Sequence, residues 1–260
     1  MDIEALRQLA NQDLSIDFDE GVLILDFGND VFRFLTDQDK RKCFFQVMDV
    51  VDDSPDIKVV LFLSDPAGLN EDVYDGYLRN VCGGDIGLKV LGNSWVYEEN
   101  VERARQLCFH NYTIKRRVAS KKIIIDGLRG TIVTPFFGET LSADLRYATP
   151  DMRFSLAHKK YGLHPNGALA FFLPRYVGQG KAVELMLTTD YIDAEQAMDL
   201  GLINGIFAPD DFVSECIKLA KKVSSVSMPT IVSTKLLSTH FKKELDSYID
   251  TEESLLSELW

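Results

Sequence analysis

Long apolar runs are missing from this sequence. A membrane-spanning helix needs about 20 consecutive, mostly apolar residues, and no run of about 18 occurs among the 260 residues of the chain. The first residues, MDIEALRQLANQDL, are acidic and do not have the order of basic and apolar residues that a signal peptide requires. We therefore expect a soluble, cytoplasmic protein that does not bind a membrane.

Cysteine is also scarce. The four cysteines are far apart and have neither CxxC nor Cys/His ligand spacing: Cys43, Cys82, Cys108 and Cys216. We interpret them as buried free thiols, because an unpaired cysteine behaves as a small apolar side chain. His158 and His164 lack a third ligand at a recognisable spacing. We therefore expect neither a disulfide framework nor a metal site.

Basic residues are outnumbered by acidic ones. The chain has 28 Lys and Arg against 40 Asp and Glu, which gives a formal net charge of −12. Nucleic acids and anionic membranes bind to positive surfaces, so we expect neither as a partner. Short basic clusters at 115–117, 121–122 and 221–222 are typical of solvated helix faces, although a nucleotide phosphate is an alternative partner for any one of them.

The first half of the chain predicts an α/β arrangement. Alternating apolar residues on either side of Asp19-Glu20-Gly21 indicate a hairpin of strands at 14–18 and 22–27. A helix to about residue 51 and a continuous apolar strand at 57–63 follow. We expect further helices at 70–80 and 97–118, with a glycine-rich loop at 83–95 between them.

Residues 121–207 contain the most informative order of elements. A strand at 123–126 leads through a turn into a short apolar helix, and a strand at 144–148 and a short one near Phe154 follow. A glycine-containing loop at 162–167 and two helices come next. Helices at 210–223 and 229–260 complete the predicted chain.

Several segments in this region resemble the enoyl-CoA hydratase/isomerase (crotonase) family. The similar segments are DLRYA at 144–148, LPRYVG at 173–178, AEQA at 194–197 and GLIN at 201–204. The resemblance implies an α/β fold with a crotonase-like ββα spiral core over residues 1–205. It also implies a C-terminal helical trimerisation region over residues 206–260.

The resemblance implies a ligand and an assembly as well. The family uses coenzyme A thioesters, so an acyl-CoA substrate or ligand is expected, without a tightly bound cofactor. Lys235 matches a family lysine that contacts the nucleotide phosphates. A trimer or hexamer is expected, and an apolar stripe in the last helix is consistent with an interface: Leu236, Leu237, Phe241, Leu245 and Tyr248.

The residues that carry out hydration in the family are replaced. Alignment on Asp144 places Pro135 at the middle of the family's glycine triplet, where a backbone N–H usually donates to the oxyanion of the thioester. Proline has no N–H. The same alignment places Gly138 and His158 where the two hydratase glutamates stand. Because hydration needs both a base and an acid, ordinary hydratase activity is not expected.

Alternative catalytic residues remain open. Glu139 stands one residue beyond the first glutamate position, and His158 is itself a possible general base, which leaves isomerase, hydrolase or decarboxylase chemistry. Ala67 or Gly68 is a candidate for the other N–H group of the oxyanion site. The alternative is that these residues form an ordinary turn. His164 and Asn166 add polar groups to the expected acyl pocket.

The alternative to an enzyme is a non-catalytic homologue that serves as a partner or regulatory subunit. The loss of both glutamates and of the N–H at Pro135 favours this alternative. A purely structural protein without a ligand is a weaker possibility.

Overall fold

A computed structural model of the chain describes residues 6–81 and 101–258. Within these ranges the centre is a six-stranded sheet. Its first two strands are antiparallel, and every later pair of neighbours is parallel. The strands, in spatial order, are β1 (Leu14–Asp19), β2 (Val22–Phe27), β3 (Val59–Ser64), β4 (Ile123–Leu128), β6 (Leu145–Ala148) and β9 (Gly205–Ile206).

A smaller sheet lies beside the first one. It contains β5 (Thr131–Val133), β7 (Arg153–Ser155) and β8 (Tyr191–Asp193), with β7 in the middle. β5 and β7 are parallel, whereas β7 and β8 are antiparallel. Because helix α5 (Thr134–Thr140) begins directly after β5, this sheet fixes where that helix starts.

Helices cover both sheets. Asp37 accepts hydrogen bonds from the backbone N–H groups of Asp39 and Lys40, which explains why α2 (Gln38–Asp53) begins at Gln38. The other helices are α1 (Val31–Thr36), α3 (Glu71–Val81), α4 (Val101–Ala119), a 3₁₀ helix (Ala157–Tyr161), α6 (Leu169–Val177), α7 (Gln179–Thr188), α8 (Ala194–Asp199), α9 (Phe212–Ser224), α10 (Met228–Ser238) and α11 (Lys242–Glu258). None of the helices in the described ranges has the length and apolar character needed to cross a bilayer.

The central sheet is buried on both faces. All six residues of β3 are buried, as its continuous apolar sequence predicts for a parallel strand. Phe212, Cys216 and Ala220 of α9 cover one face. The domain boundary that we predict at residue 205 stays a prediction. Helix α9, which follows this boundary, packs against the central sheet.

The structure confirms the α/β prediction and the N-terminal hairpin. The single helix predicted over 229–260 is wrong, because α10 ends at Ser238 and α11 begins at Lys242. The break allows Phe241 to pack against the rings of Phe171 and Phe172. The loop predicted at 83–95 lies outside the described residues.

Two further predictions need correction. The C-terminal stripe is not exposed as a whole, because Leu245 is fully buried, whereas Leu236 and Leu237 are 54% and 77% exposed. The cysteines are not uniformly buried either, since Cys216 is buried but Cys108 is exposed. Cys82 lies outside the described residues.

Candidate functional site

Gly138, which the alignment on Asp144 predicts to stand at the family's first glutamate position, has no room for a side chain. A Cβ atom at Gly138 in α5 would lie 2.2 Å from the carbonyl oxygen of Gly167 and 2.7 Å from the nitrogen of Leu169. Gly167 has a φ of +70°, and a Cβ there would lie 2.3 Å from the carbonyl oxygen of Pro135. The first turn of α5 and the segment at 167–169 therefore pack backbone against backbone.

The loop after β3 uses the two N–H groups that we considered for an oxyanion site. The N–H of Ala67 donates to Oδ1 of Asp65 at 2.8 Å, and the N–H of Gly68 donates to the carbonyl oxygen of Asp65 at 2.9 Å. Both bonds close a local turn. An oxyanion role for Ala67 or Gly68 stays a prediction, and this geometry favours the ordinary turn.

His158 is buried, and both of its ring nitrogens have partners. Nε2 lies 3.1 Å from the carbonyl oxygen of Met186, and Nδ1 lies 3.1 Å from the hydroxyl of Thr134. A carbonyl oxygen only accepts, so Nε2 carries the proton and Nδ1 is left to accept. Burial lowers the pKa of His158 to about 4. The catalytic role of His158 stays a prediction, although this environment is typical of a neutral structural histidine.

Glu139 points towards α4. Its Oε2 lies 2.5 Å from Nδ1 of His110, and its Oε1 lies 3.8 Å from Nη2 of Arg117. All three side chains are buried. The structure therefore brings Glu139 together with His110, which sequence reasoning missed. The sequence does contain a pattern that points to this face of α4, because Arg103, Gln106, His110 and Arg117 recur at helical spacing. The structure shows that all four side chains are buried.

Arg117 connects Glu139 to Asp126 in β4. It donates from Nη1 to Oδ2 of Asp126 at 2.8 Å. Burial alone would lower the pKa of Arg117, but Asp126 and Glu139 outweigh it and raise that pKa above its ordinary value. Burial raises the pKa of Asp126, and Arg117 only partly offsets this rise. Arg117 is therefore the charged centre of a buried network.

A cavity lies next to this network. Its volume is about 60 Å³, which is room for a few water molecules. Five phenylalanine rings, from β2, β3, α2, α4 and α5, line it together with aliphatic side chains, and its polar lining includes Arg117, Asp126, Glu139 and Thr140. Ligand pockets usually have volumes of about 300–1,000 Å³, so this cavity is much smaller than a typical small-molecule site.

The loop at 162–168 contains further buried polar atoms. Nε2 of His164 and Nδ2 of Asn166 have no hydrogen-bond partner in the described part of the chain. Burial lowers the pKa of His164. Glu252 of α11 accepts from the N–H groups of Gly167 at 3.0 Å and Ala168 at 3.2 Å, and burial raises its pKa to about 7. The C-terminal helix is thereby attached to the loop.

Lys235 is not placed to contact a phosphate. It is 1% exposed, and its ammonium group lies 2.5 Å from Oδ2 of Asp144. Burial lowers its pKa, and Asp144 partly offsets this effect. The phosphate contact that the resemblance implies is therefore not available in this arrangement. In the described ranges, no three His, Cys, Asp or Glu side chains are grouped to hold a metal ion.

The strand order and the position of α5 define a crotonase-type α/β fold. A solved structure of enoyl-CoA hydratase from Bacillus halodurans superimposes with a TM-score of 0.75 at 19% identity, over 95% of both chains. A solved enoyl-CoA hydratase/isomerase from Pseudoalteromonas atlantica T6c gives a TM-score of 0.73 at 21% identity, over 95% of this chain and 91% of the other. These similarities confirm the predicted fold.

The sequence identifies the family. The family model described as enoyl-CoA hydratase/isomerase matches residues 96–260, so the chain belongs to this family. A 4-chlorobenzoyl coenzyme A dehalogenase from Arthrobacter sp is 28% identical over 47% of this chain, but the match covers only 44% of the dehalogenase. A short-chain-enoyl-CoA hydratase from Clostridioides difficile is 28% identical over 52% of this chain and 88% of the hydratase.

Proposed function

We propose that this chain binds an acyl-CoA thioester and does not hydrate enoyl-CoA at the family's catalytic position. The absence of space at Gly138 carries the second half of the proposal, because the first glutamate of a hydratase cannot be accommodated there. Pro135 supports it, since its nitrogen has no hydrogen to donate to an oxyanion. His158, with both ring nitrogens engaged, supports it further.

The ligand class follows from the family. The dehalogenase and the hydratase named above catalyse different reactions, but both names specify a coenzyme A thioester. The thioester is thus the common element of reactions that use different catalytic groups, whereas the fold alone would not specify a function. No tightly bound cofactor is needed for this proposal.

Isothermal calorimetry tests the binding. We expect coenzyme A and acetyl-CoA to bind, and we expect a lower affinity at the higher of two salt concentrations, because salt screens the attraction between phosphates and basic side chains. A Lys235→Gln variant that remains folded should bind as the wild type does, since Lys235 is buried and paired with Asp144. A complete absence of binding heat from the wild type at either salt concentration would contradict the proposal.

A partner or regulatory subunit is the second candidate, and exposed apolar side chains favour it. Leu187 is 69% exposed and Leu237 is 77% exposed. Large apolar side chains at the surface are typical of protein interfaces when they form a patch. In this case, too, we propose a homo-oligomer, a trimer or hexamer, as the assembly.

Light scattering coupled to size exclusion measures that assembly. We expect the mass of three or six copies of the 29.3 kDa chain. A Leu237→Asp variant should shift the mass towards one copy. The Leu187→Asp variant, measured separately, shows whether Leu187 contributes to the same interface. A monomer mass for the wild type at micromolar concentration would contradict the proposed oligomer.

A further inference from the structure

The buried face of α11 includes a carboxylate. Leu245, Ile249 and Glu252 recur at spacings of four and three residues, which places them on one face of the helix. Leu245 and Ile249 are fully buried, and Glu252 is only 4% exposed. An apolar side chain would be enough to pack this face, whereas a carboxylate that is removed from water is costly unless it is hydrogen-bonded. Glu252 therefore requires a reason beyond packing.

The start of α6 supplies that reason. The backbone N–H of Gly167 donates to Oε1 of Glu252 at 3.0 Å, and the N–H of Ala168 donates to Oε2 at 3.2 Å. The hydroxyl of Tyr248, one turn earlier in α11, donates to Oε2 at 3.0 Å and orients the carboxylate. The N-cap residue of α6 is Ala168, whose own side chain cannot cap the helix. Glu252 thus supplies, from a distant helix, the acceptor that a helix N-terminus needs.

The two residues that Glu252 binds have a left-handed backbone. The angle φ is +70° at Gly167 and +57° at Ala168. Glycine adopts this conformation freely, but in alanine the Cβ atom crowds the following carbonyl oxygen. A residue other than glycine keeps such a conformation only where its surroundings hold it. Ala168 is fully buried, and the hydrogen bond from its N–H to Glu252 is one of the contacts that hold it.

The same segment closes the position of Gly138. A Cβ atom at Gly138 would meet the carbonyl oxygen of Gly167 and the nitrogen of Leu169, so the segment at 167–169 lies directly against α5. Gly167 therefore has contacts in two directions, because its carbonyl oxygen lies beside α5 and its N–H is bound to α11. A change of the backbone at Gly167 would alter both contacts together.

We propose that Glu252, bound to the N–H groups of Gly167 and Ala168, is a latch by which α11 holds the segment at 167–169 closed against α5. While the latch is closed, no side chain has room at Gly138. Loss of the carboxylate leaves both N–H groups without this acceptor, and the segment can then move away from α5. Glu252 acts through the backbone of another element, so it is a positioning residue. The latch does not depend on the proposed binding of a thioester.

Amide hydrogen exchange tests whether the latch is closed. In the wild type we expect the N–H groups of Gly167 and Ala168 to exchange more slowly than free peptide amides, by a factor of about ten or more, because the carboxylate accepts both. Glu252→Leu keeps an apolar body of similar size but has no acceptor, so this protection should be lost. Glu252→Gln retains one acceptor oxygen, and its protection should be intermediate.

Glu253→Leu is the matched control, because Glu253 is the next residue of the same helix and accepts from Asn111 of α4 instead. Both amides should remain protected in this variant. Exchange of both amides at the rate of free peptides in the wild type would overturn the latch. Equal protection in the wild type and in Glu252→Leu would overturn it as well.

A double-mutant cycle tests the connection to α5. Gly138→Ala should lower the melting temperature of the wild type, because the new Cβ meets the carbonyl oxygen of Gly167. If Glu252 holds that carbonyl in place, the same substitution should lower the melting temperature of Glu252→Leu by about half as much or less, since the two sites share a partner. In Glu253→Leu the full decrease is expected. An equal decrease in all three backgrounds would overturn the latch. The exchange measurement uses no variant at Gly138, so it gives a result even if Gly138→Ala does not fold.

Discussion

Replacing Gly138 by alanine should destabilise the protein by about 3 kcal/mol, at the upper end of the usual cost of overpacking a core. The new Cβ would lie 2.2 Å from the carbonyl oxygen of Gly167, and this oxygen belongs to the backbone and cannot rotate away. For a chain of this size the melting temperature should fall by roughly 6 to 12 °C. Thermal unfolding followed by circular dichroism measures the difference.

Gly76→Ala is the matched control, because Gly76 also lies within a helix. Among the described residues no heavy atom lies within 4 Å of a Cβ at this position. Alanine there should stabilise the protein by about 0.5–1 kcal/mol, since glycine is the poorer helix former. If Gly138→Ala were as stable as the wild type, the position would be open to a side chain, and our reason for excluding a hydratase glutamate would be wrong.

Local patterns in the sequence predict much of this fold. The hairpin of β1 and β2 follows from apolar alternation around a turn, and the buried strand β3 follows from a continuous apolar run. The short helix α5 follows from the apolar residues after the turn that ends β4, although the strand β5 between them was not predicted. Each of these features depends on residues that are neighbours in the sequence, which is why one sequence is enough to predict them.

The candidate site depends on distant partners, and the sequence predicts it only in part. Glu139 stands one residue beyond the hydratase position, and one residue turns a helix by about 100°, so its carboxylate reaches His110 on α4. No spacing rule connects residues 110 and 139. Similarly, the buried Lys235 has a partly buried partner, Asp144, that lies 91 positions earlier in the chain.

The largest expected effect concerns hydration itself. Water addition to an enoyl thioester requires a base, an acid and an oxyanion site. Gly138 offers no carboxylate or space for one, and Pro135 offers no N–H. His158, at the second position, is neutral at physiological pH because burial lowers its pKa to about 4.

The decisive measurement is the loss of the conjugated double bond of crotonyl-CoA, followed by absorbance with purified protein at neutral pH. A short-chain-enoyl-CoA hydratase from Clostridioides difficile is the positive control. We expect no conversion above that of buffer. A turnover in the usual enzymatic range, about 1 to 1,000 per second, would contradict our account, because it would require catalytic groups at positions that the structure shows to be closed or occupied.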